Sequence, residues 1–299
     1  MRTHTLDSPL SYYATFFVVR YVPRPLCYLL GRLVALIIYS FSRADRQGLA
    51  GNLAVALAKP AHSSAVRKMV RSVFLNYGQY MVDFFLAPQL SPRKVKRLFS
   101  EIRGEEILKR ALKRGKGVIF LSAHVGNWEI GGSMLCMLGY PLTIVAMTHN
   151  TAMTNALVNR LRQDRGITVI SMDMESHFSS IEILRHLRNN EIVAMNGDRD
   201  LSGRGRQVNF FGTPVPFPVG PVLMAMKSGA ALIPAFVVRQ AKGTYVGILE
   251  EPLALTIGGR LEDDLHENLS LTARVFETYV RRYPDQWYTP DRIAVEVAE

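Results

Sequence analysis

Apolar residues recur at helical spacing between 62 and 87. Val66, Met69, Val70, Val73, Phe74, Tyr77, Met81, Phe84 and Phe85 predict one long amphipathic helix, ended by Pro88 and Pro92, beyond which another begins. Gly104 to Arg114 reads as a short amphipathic helix closed by Gly115 and Gly117. Then a regular alternation sets in. Strand-like runs at Val118–Ala123, Leu142–Met147, Ile167–Ser171, Ile192–Asn196 and Leu232–Val238 alternate with helical stretches at 128–138, 151–163, 178–188 and 219–228. Tyr245–Leu249 suits an antiparallel partner for the last of these strands, and a helix over about 261–281 closes the unit. Strands alternating with helices of this length predict an α/β fold, a largely parallel central sheet flanked by helices. Such sheets carry their chemistry at the carboxyl ends of their strands.

The N-terminal pattern is different. Tyr12 to Phe41 is strongly apolar, but Arg20, Arg24 and Arg32 interrupt it and Pro23 and Pro25 break it. Its longest uncharged run, Leu33 to Ser42, falls well short of the roughly 20 residues a spanning helix needs. No small-residue cleavage site follows, so a secretory signal peptide is not expected. Arginines can reach the headgroups while the apolar face enters lipid. Residues 1–42 are therefore expected to form a membrane-anchoring helical segment lying in the interface, and 43–299 the functional domain. A tilted single span, or a pair of buried core helices, are the alternatives.

Charge narrows the partners. Lys plus Arg is 36 against 25 for Asp plus Glu, a net charge of +11. That excess suits a lipid surface, nucleic acid or a phosphorylated substrate. The N-terminal segment favours the lipid surface and a membrane lipid, and no nucleic acid is expected. Basic clusters at 93–97 and 109–116 would add attraction to acidic lipid, about 1 kcal/mol per side chain close to the surface. Cys27 and Cys136 have neither metal-site nor disulfide spacing and read as buried thiols in a reducing compartment.

The candidate chemistry begins at GVIFLSAHVGNWEIGG, residues 117–132. His124 stands at the mouth of a strand, and Glu129 follows after four residues. A neutral imidazole accepts a proton from an alcohol, while a carboxylate fixes its tautomer and stabilises the imidazolium. In one helix, five residues rotate a side chain by about 140° after whole turns are removed, so the two groups would diverge. They meet only if His124 precedes the helix and Glu129 sits in its first turn, with Asn127 or its neighbouring glycine as the start. A packing role for His124 is the plainer alternative. The second segment follows strand Ile192–Asn196. Asp198, Arg199, Asp200 and Arg204 arrive together, then glycines and prolines hold an expected irregular loop with Phe210, Phe211 and Phe217 on an oily face. Pro221 suits the first residue of the next helix. Charges for a head and aromatics for a tail suit an amphiphile, although a surface loop with local ion pairs and core phenylalanines reads equally well. No G-x-S-x-G elbow, H-E-x-x-H zinc spacing or phosphate-binding glycine loop is present.

HVGNWE (124–129), DRDLSGRGRQVNFFGTPVPFPVGP (198–221) and YPDQWY (283–288) resemble the lipid A biosynthesis acyltransferase family within the lysophospholipid acyltransferase group. The DRDL version, FFG and GPVLMAMKSGAAL are most similar to its phosphatidylinositol mannoside acyltransferase branch. NLAVAL (52–57) and NYGQYMVDFF (76–85) extend the likeness over most of the chain. The resemblance implies transfer of a fatty acyl group from a thioester carrier, acyl carrier protein or coenzyme A, to a hydroxyl of a glycolipid at the cytoplasmic face of the bacterial inner membrane, with no cofactor or metal. It makes His124 the general base and Glu129 the acid of an H-x4-D/E motif. Asp198 falls where the mannoside branch has an acid that partners the histidine, usually a glutamate, so two carboxylates compete for one role. Arg162 falls at an acceptor-phosphate contact, which Arg199 and more weakly Arg204 can share, with Asp200 and Asn127 in the substrate-facing loops. Backbone N–H groups at Gly126–Asn127 are expected to stabilise the oxyanion. After YPDQWY the chain departs from lipid A enzymes, with TPDRIA in place of an aromatic and basic segment. A non-catalytic basic lipid-binding protein is the contrasting reading.

Overall fold

The computed structural model describes residues 9–148, 151–172 and 178–293. Four helices come first: α1 (Pro9–Tyr21), α2 (Arg24–Phe41), α3 (Arg43–Leu57) and α4 (Ser64–Leu86). Pro23 precedes α2 and fixes its entry, and Ser63 caps α4 by accepting from the Val66 N–H at 3.3 Å. α2 is long and apolar enough to cross a membrane by length and composition. Only Cys27 and Ala35 are buried along it. One face packs on α4, and the rest leaves Leu26, Leu29, Leu30, Leu33, Val34, Ile37 and Phe41 exposed.

A short helix α5 (Pro92–Lys96) leads into β1 (Phe99–Arg103) and α6 (Glu105–Leu112). The alternating unit then runs β2 (Val118–Ser122), α7 (Trp128–Met137), β3 (Leu142–Met147), α8 (Ala152–Gln163), β4 (Ile167–Met172), α9 (Phe178–Arg188) and β5 (Ile192–Asn196). A hairpin, β6 (Arg206–Phe210) and β7 (Thr213–Phe217), precedes α10 (Gly220–Ser228), β8 (Ala231–Arg239), β9 (Tyr245–Leu249) and α11 (Leu261–Arg282). Among the described residues seven strands form one sheet in the order β1-β9-β8-β2-β5-β3-β4, parallel throughout except where β8 meets β9. The expected α/β fold with a largely parallel, helix-flanked sheet is what forms.

Burial explains the sheet. All five residues of β2 are buried, as a central strand covered on both faces requires. Two elements depart from expectation. Phe99–Arg103 is an edge strand whose FSEIR sequence is half polar, so no apolar run announces it. The loop expected to be irregular contains the β6–β7 hairpin, which tolerates Pro214 and Pro216 because it lies outside the main sheet.

Candidate active site

β2 and β5 are parallel neighbours in a register that pairs Ser122 with Asn196. Two residues beyond each strand end stand His124 and Asp198, so the register carries them to the same edge. His124 Nδ1 lies 2.7 Å from Asp198 Oδ1. A carboxylate only accepts, so Nδ1–H donates and Nε2 keeps its lone pair. The other carboxylate oxygen accepts from the His124 backbone N–H at 3.0 Å and from Trp287 Nε1–H at 3.1 Å. Asp198 is fully buried, while the His124 side chain is 21% exposed. Burial pushes the Asp198 carboxyl up, but its electrostatic attraction to the His124 ring, the hydrogen bonds from that ring and from the His124 backbone, and that from Trp287 outweigh it and leave the group below its ordinary value. Of the two carboxylates, Asp198 is therefore the one joined to the imidazole.

The turn that carries His124 is pinned on two sides. Gly126 N–H donates to Gln286 O at 3.0 Å, Asn127 N–H to Val237 O at 2.7 Å, and Tyr288 N–H to His124 O at 3.0 Å. Gly126 has φ +75°, and a Cβ there would lie 2.0 Å from Val237 O, so only glycine fits. These bonds correct the expected oxyanion site: both turn amides are already used by the fold. Asn127 instead starts α7, accepting from Ile130 N–H at 3.1 Å, and its side-chain amide donates to Tyr245 Oη at 3.1 Å.

The segment that delivers Trp287 is clamped by the N-terminal helices. Asn52 on α3 donates to Thr289 O at 2.7 Å and Asp291 O at 2.9 Å. Asn76 on α4 donates to Asp285 O at 2.8 Å, and the Tyr77 ring stacks on Tyr288 at 3.6 Å. NLAVAL and NYGQ thus act as struts for YPDQWY.

Glu129 turns towards α8. Arg162 donates to its Oε1 from Nη2 at 2.6 Å and from Nε at 3.1 Å, and Arg165 Nη2 stands 3.7 Å from Oε2. All three are largely buried. Burial pushes the Arg162 guanidinium down, yet the Glu129 charge and hydrogen bonds carry it above its usual value. For Arg165 burial prevails and the guanidinium is held below. Arg165 also donates to Ser133 Oγ at 3.0 Å and lies over the Phe84 ring. The sequence reading passed over Arg165, although RLRQDR places it one helical turn after Arg162.

The remaining candidates divide. Arg199 pairs with Asp291. Asp200 braces its own loop, accepting from Ser202 N–H at 3.0 Å and Gly205 N–H at 2.7 Å. Arg204 lies on the exposed apex of that loop. Phe210 and Phe217 do not form the expected oily loop face, although Phe210 and Phe211 border a small recess with Trp287 and Ile293. Phe210 and Phe217 are buried in the core, Phe217 stacked on Phe276 and Phe210 edge-on to Trp287. An aromatic recess exists beside the histidine turn instead, lined by Tyr77, Tyr80, Trp128 and Tyr288 with Asn127 and Arg239. The Trp128 ring also meets the His124 ring edge-on, centroids 5.2 Å apart.

Residues 8–289 match the model of the bacterial lipid A biosynthesis acyltransferase family. The chain is 25% identical to phosphatidylinositol mannoside acyltransferase of Mycolicibacterium smegmatis, over 93% of this chain and 88% of that one. The Mycobacterium tuberculosis protein of the same name is 31% identical, but the match spans only about half of each, 56% of this chain and 54% of its own. A lipid A biosynthesis palmitoleoyltransferase of Escherichia coli is 23% identical over 89% of this chain and 84% of its own. A sheet whose edge joins a histidine to a buried acid, and a family match from the first helix to the segment that carries Trp287, lead to one conclusion: the chain belongs to the bacterial lipid A biosynthesis acyltransferase family.

Proposed function

We propose that this protein is a membrane-associated O-acyltransferase. It moves a fatty acyl group from a thioester of acyl carrier protein or coenzyme A to a hydroxyl of a glycolipid. The observation that carries the reading is the His124–Asp198 pair, with Nδ1 held at 2.7 Å by a fully buried carboxylate. Nε2 takes the acceptor's hydroxyl proton as its oxygen attacks the thioester carbonyl. The C–S bond then breaks, and the imidazolium returns the proton to the departing thiolate. The thioester is already activated, so no covalent enzyme intermediate is needed. With the Gly126 and Asn127 amides engaged, the developing oxyanion is assigned to the first turn of α7, whose leading N–H groups lack intrahelical acceptors.

Two features support an anionic glycolipid at a membrane. The Glu129 cluster sets one carboxylate against two guanidiniums. Its surplus positive charge suits an acceptor phosphate, to which Arg162 is assigned. α1 and α2 expose an apolar face that includes Leu10, Phe17, Tyr21, Leu29 and Ile37, flanked by Arg20 and Arg32. That face suits insertion at the cytoplasmic surface of the bacterial inner membrane. The relatives named for phosphatidylinositol mannoside point to that acceptor class.

The test is transfer from palmitoyl-coenzyme A, or from palmitoyl acyl carrier protein, to phosphatidylinositol mannoside in vesicles, read by mass spectrometry as the gain of one acyl chain. His124→Ala should abolish the product while leaving folding and vesicle binding intact. Near wild-type transfer by that variant would refute the proposal.

A further inference from the structure

A chain of polar groups, buried at Asp83, Tyr245 and Asn127, joins the outward-facing helix α2 to the turn that carries His124. Arg24 on α2 donates to Tyr28 Oη, from Nη2 at 2.8 Å and from Nε at 3.2 Å. Tyr28 donates in turn to Asp83 Oδ1 on α4. Tyr245, at the start of β9, donates to the other oxygen of the same carboxylate. Tyr245 Oη accepts from the side-chain amide of Asn127 at 3.1 Å. Asn127 then caps α7 through Ile130 N–H, three residues beyond His124. Both branches donate towards the Asp83 carboxylate, one from α2 through Tyr28 and one from the turn through Asn127 and Tyr245.

The carboxylate has a function to explain. Asp83 is 2% exposed, sits among Val82, Phe84 and Phe85, and is no part of the His124–Asp198 pair. A buried carboxylate carries a desolvation penalty unless it is held by donors. Burial pushes its carboxyl up, against the tyrosine hydrogen bonds and the charges of Arg239 and Arg24. The helix contact that brings Tyr28 to it is as close as backbones allow. A Cβ on Gly78 of α4 would lie 2.7 Å from Gly31 O of α2 and 2.8 Å from the Ala35 Cβ. α2 thus faces lipid on one side and the Asp83 relay on the other.

We infer that α2 is a positioning element of the active site: Tyr28, Asp83 and Tyr245 act through Asn127 to fix the turn that holds His124. The inference rests on the reading of His124 as the base. Tyr28→Phe and Tyr245→Phe each remove one hydroxyl and keep the ring. The full chain carries only two tryptophans, Trp128 beside Asn127 and Trp287 on Asp198, so fluorotryptophan labelling and fluorine NMR report the site directly.

In both variants the Trp128 resonance should move while that of Trp287 stays. Binding of Tyr28→Phe to phosphatidylcholine–phosphatidylglycerol vesicles should match wild type. Turnover with palmitoyl-coenzyme A should fall between about 10- and 100-fold, as misplacement of the turn by an ångström or less would do, with the donor KM unchanged. The double variant should be no slower than the slower single one, because both cut the same line. Wild-type turnover with an unmoved Trp128 resonance in Tyr28→Phe would overturn the inference, as would a loss of turnover that tracks a loss of vesicle binding. If His124→Ala retains wild-type transfer, the acyltransfer reading fails, while the Trp128 resonance still decides the positioning role.

Discussion

Asp198→Asn is the sharpest probe of the site because it changes charge and tautomer while conserving shape. The carboxylate accepts three N–H bonds, one on Oδ1 from His124 Nδ1 and two on Oδ2 from the His124 backbone and Trp287. An amide has one oxygen to offer. It gains most by turning that oxygen to the two donors that cannot change, which leaves its NH2 facing His124 Nδ1. The imidazole must then accept at Nδ1 and carry its proton on Nε2, the atom proposed as the base. A triad aspartate replaced by asparagine in this way lowers turnover by about 10⁴ in a serine protease, and a loss of about 10³- to 10⁴-fold is expected here. That corresponds to about 4 to 5.5 kcal/mol of transition-state free energy.

Single-turnover acyl transfer measures the loss, and nitrogen NMR of the His124 ring reads the tautomer. Stability should fall by only about 1.5 to 3 kcal/mol, the range for hydrogen bonds to a charged group. Its pH dependence has a defined sign. The folded-state pKa lies below the ordinary 3.8, so the carboxylate stabilises the fold above that value, and the contribution disappears as pH falls through the lowered one. The stability gap between wild type and Asp198→Asn should therefore close as pH falls below about 4. Turnover within tenfold of wild type, or an imidazole that still protonates Nδ1, would refute the pairing.

Trp287→Phe keeps a buried ring but removes one donor to Asp198. It should cost about 1 to 3 kcal/mol in thermal denaturation and slow turnover without altering the donor KM. Glu129→Gln strands two buried guanidiniums, so unfolding should be easier by about 3 to 5 kcal/mol, measured by denaturant titration. Gly126→Ala places a Cβ 2.0 Å from Val237 O at positive φ, and should yield inactive protein with a perturbed Trp128 signal, whereas Gly115→Ala, with φ +67° but open space, should lose stability and keep activity.

The five parallel strands and their helices were legible because apolar strand runs, fully buried in β2 and partly so in the others, and amphipathic helices write their periods into the chain. β1 was not, since its FSEIR sequence sits at the sheet edge and owes its strand to pairing with β9 rather than to its own pattern. The same division runs through the site. His124 and Glu129 are five apart, and nearness in sequence makes them look like partners. Asp198 is 74 residues away, and only the pairing of Ser122 with Asn196 brings it to the ring. Register is set by packing of the whole sheet, so no local spacing reveals it. The phenylalanines after Asp198 misled for a related reason: an oily loop and a hairpin laid over α11 share one composition. A signal for Asp83 was present, a lone carboxylate inside MVDFF, an apolar helix segment in which a charge demands partners from elsewhere.

The struts show why chemistry of two residues needs a chain of this length. Asp198 is oriented by Trp287, Trp287 is delivered by the segment after α11, and that segment is gripped by α3 and α4. The grip is tight: a Cβ on Gly48 of α3 would lie 1.7 Å from Pro290 O. A side chain there must push the segment off α3, and the displacement reaches Trp287, then Asp198, then the imidazole. Lesions at Gly48 or Asn52, remote from His124 in sequence, should therefore look catalytic, lowering turnover before they unfold the protein. Each of these contacts bears on the Asp198 hydrogen bonds, and a proton acceptor held within hydrogen-bonding reach has little tolerance for drift.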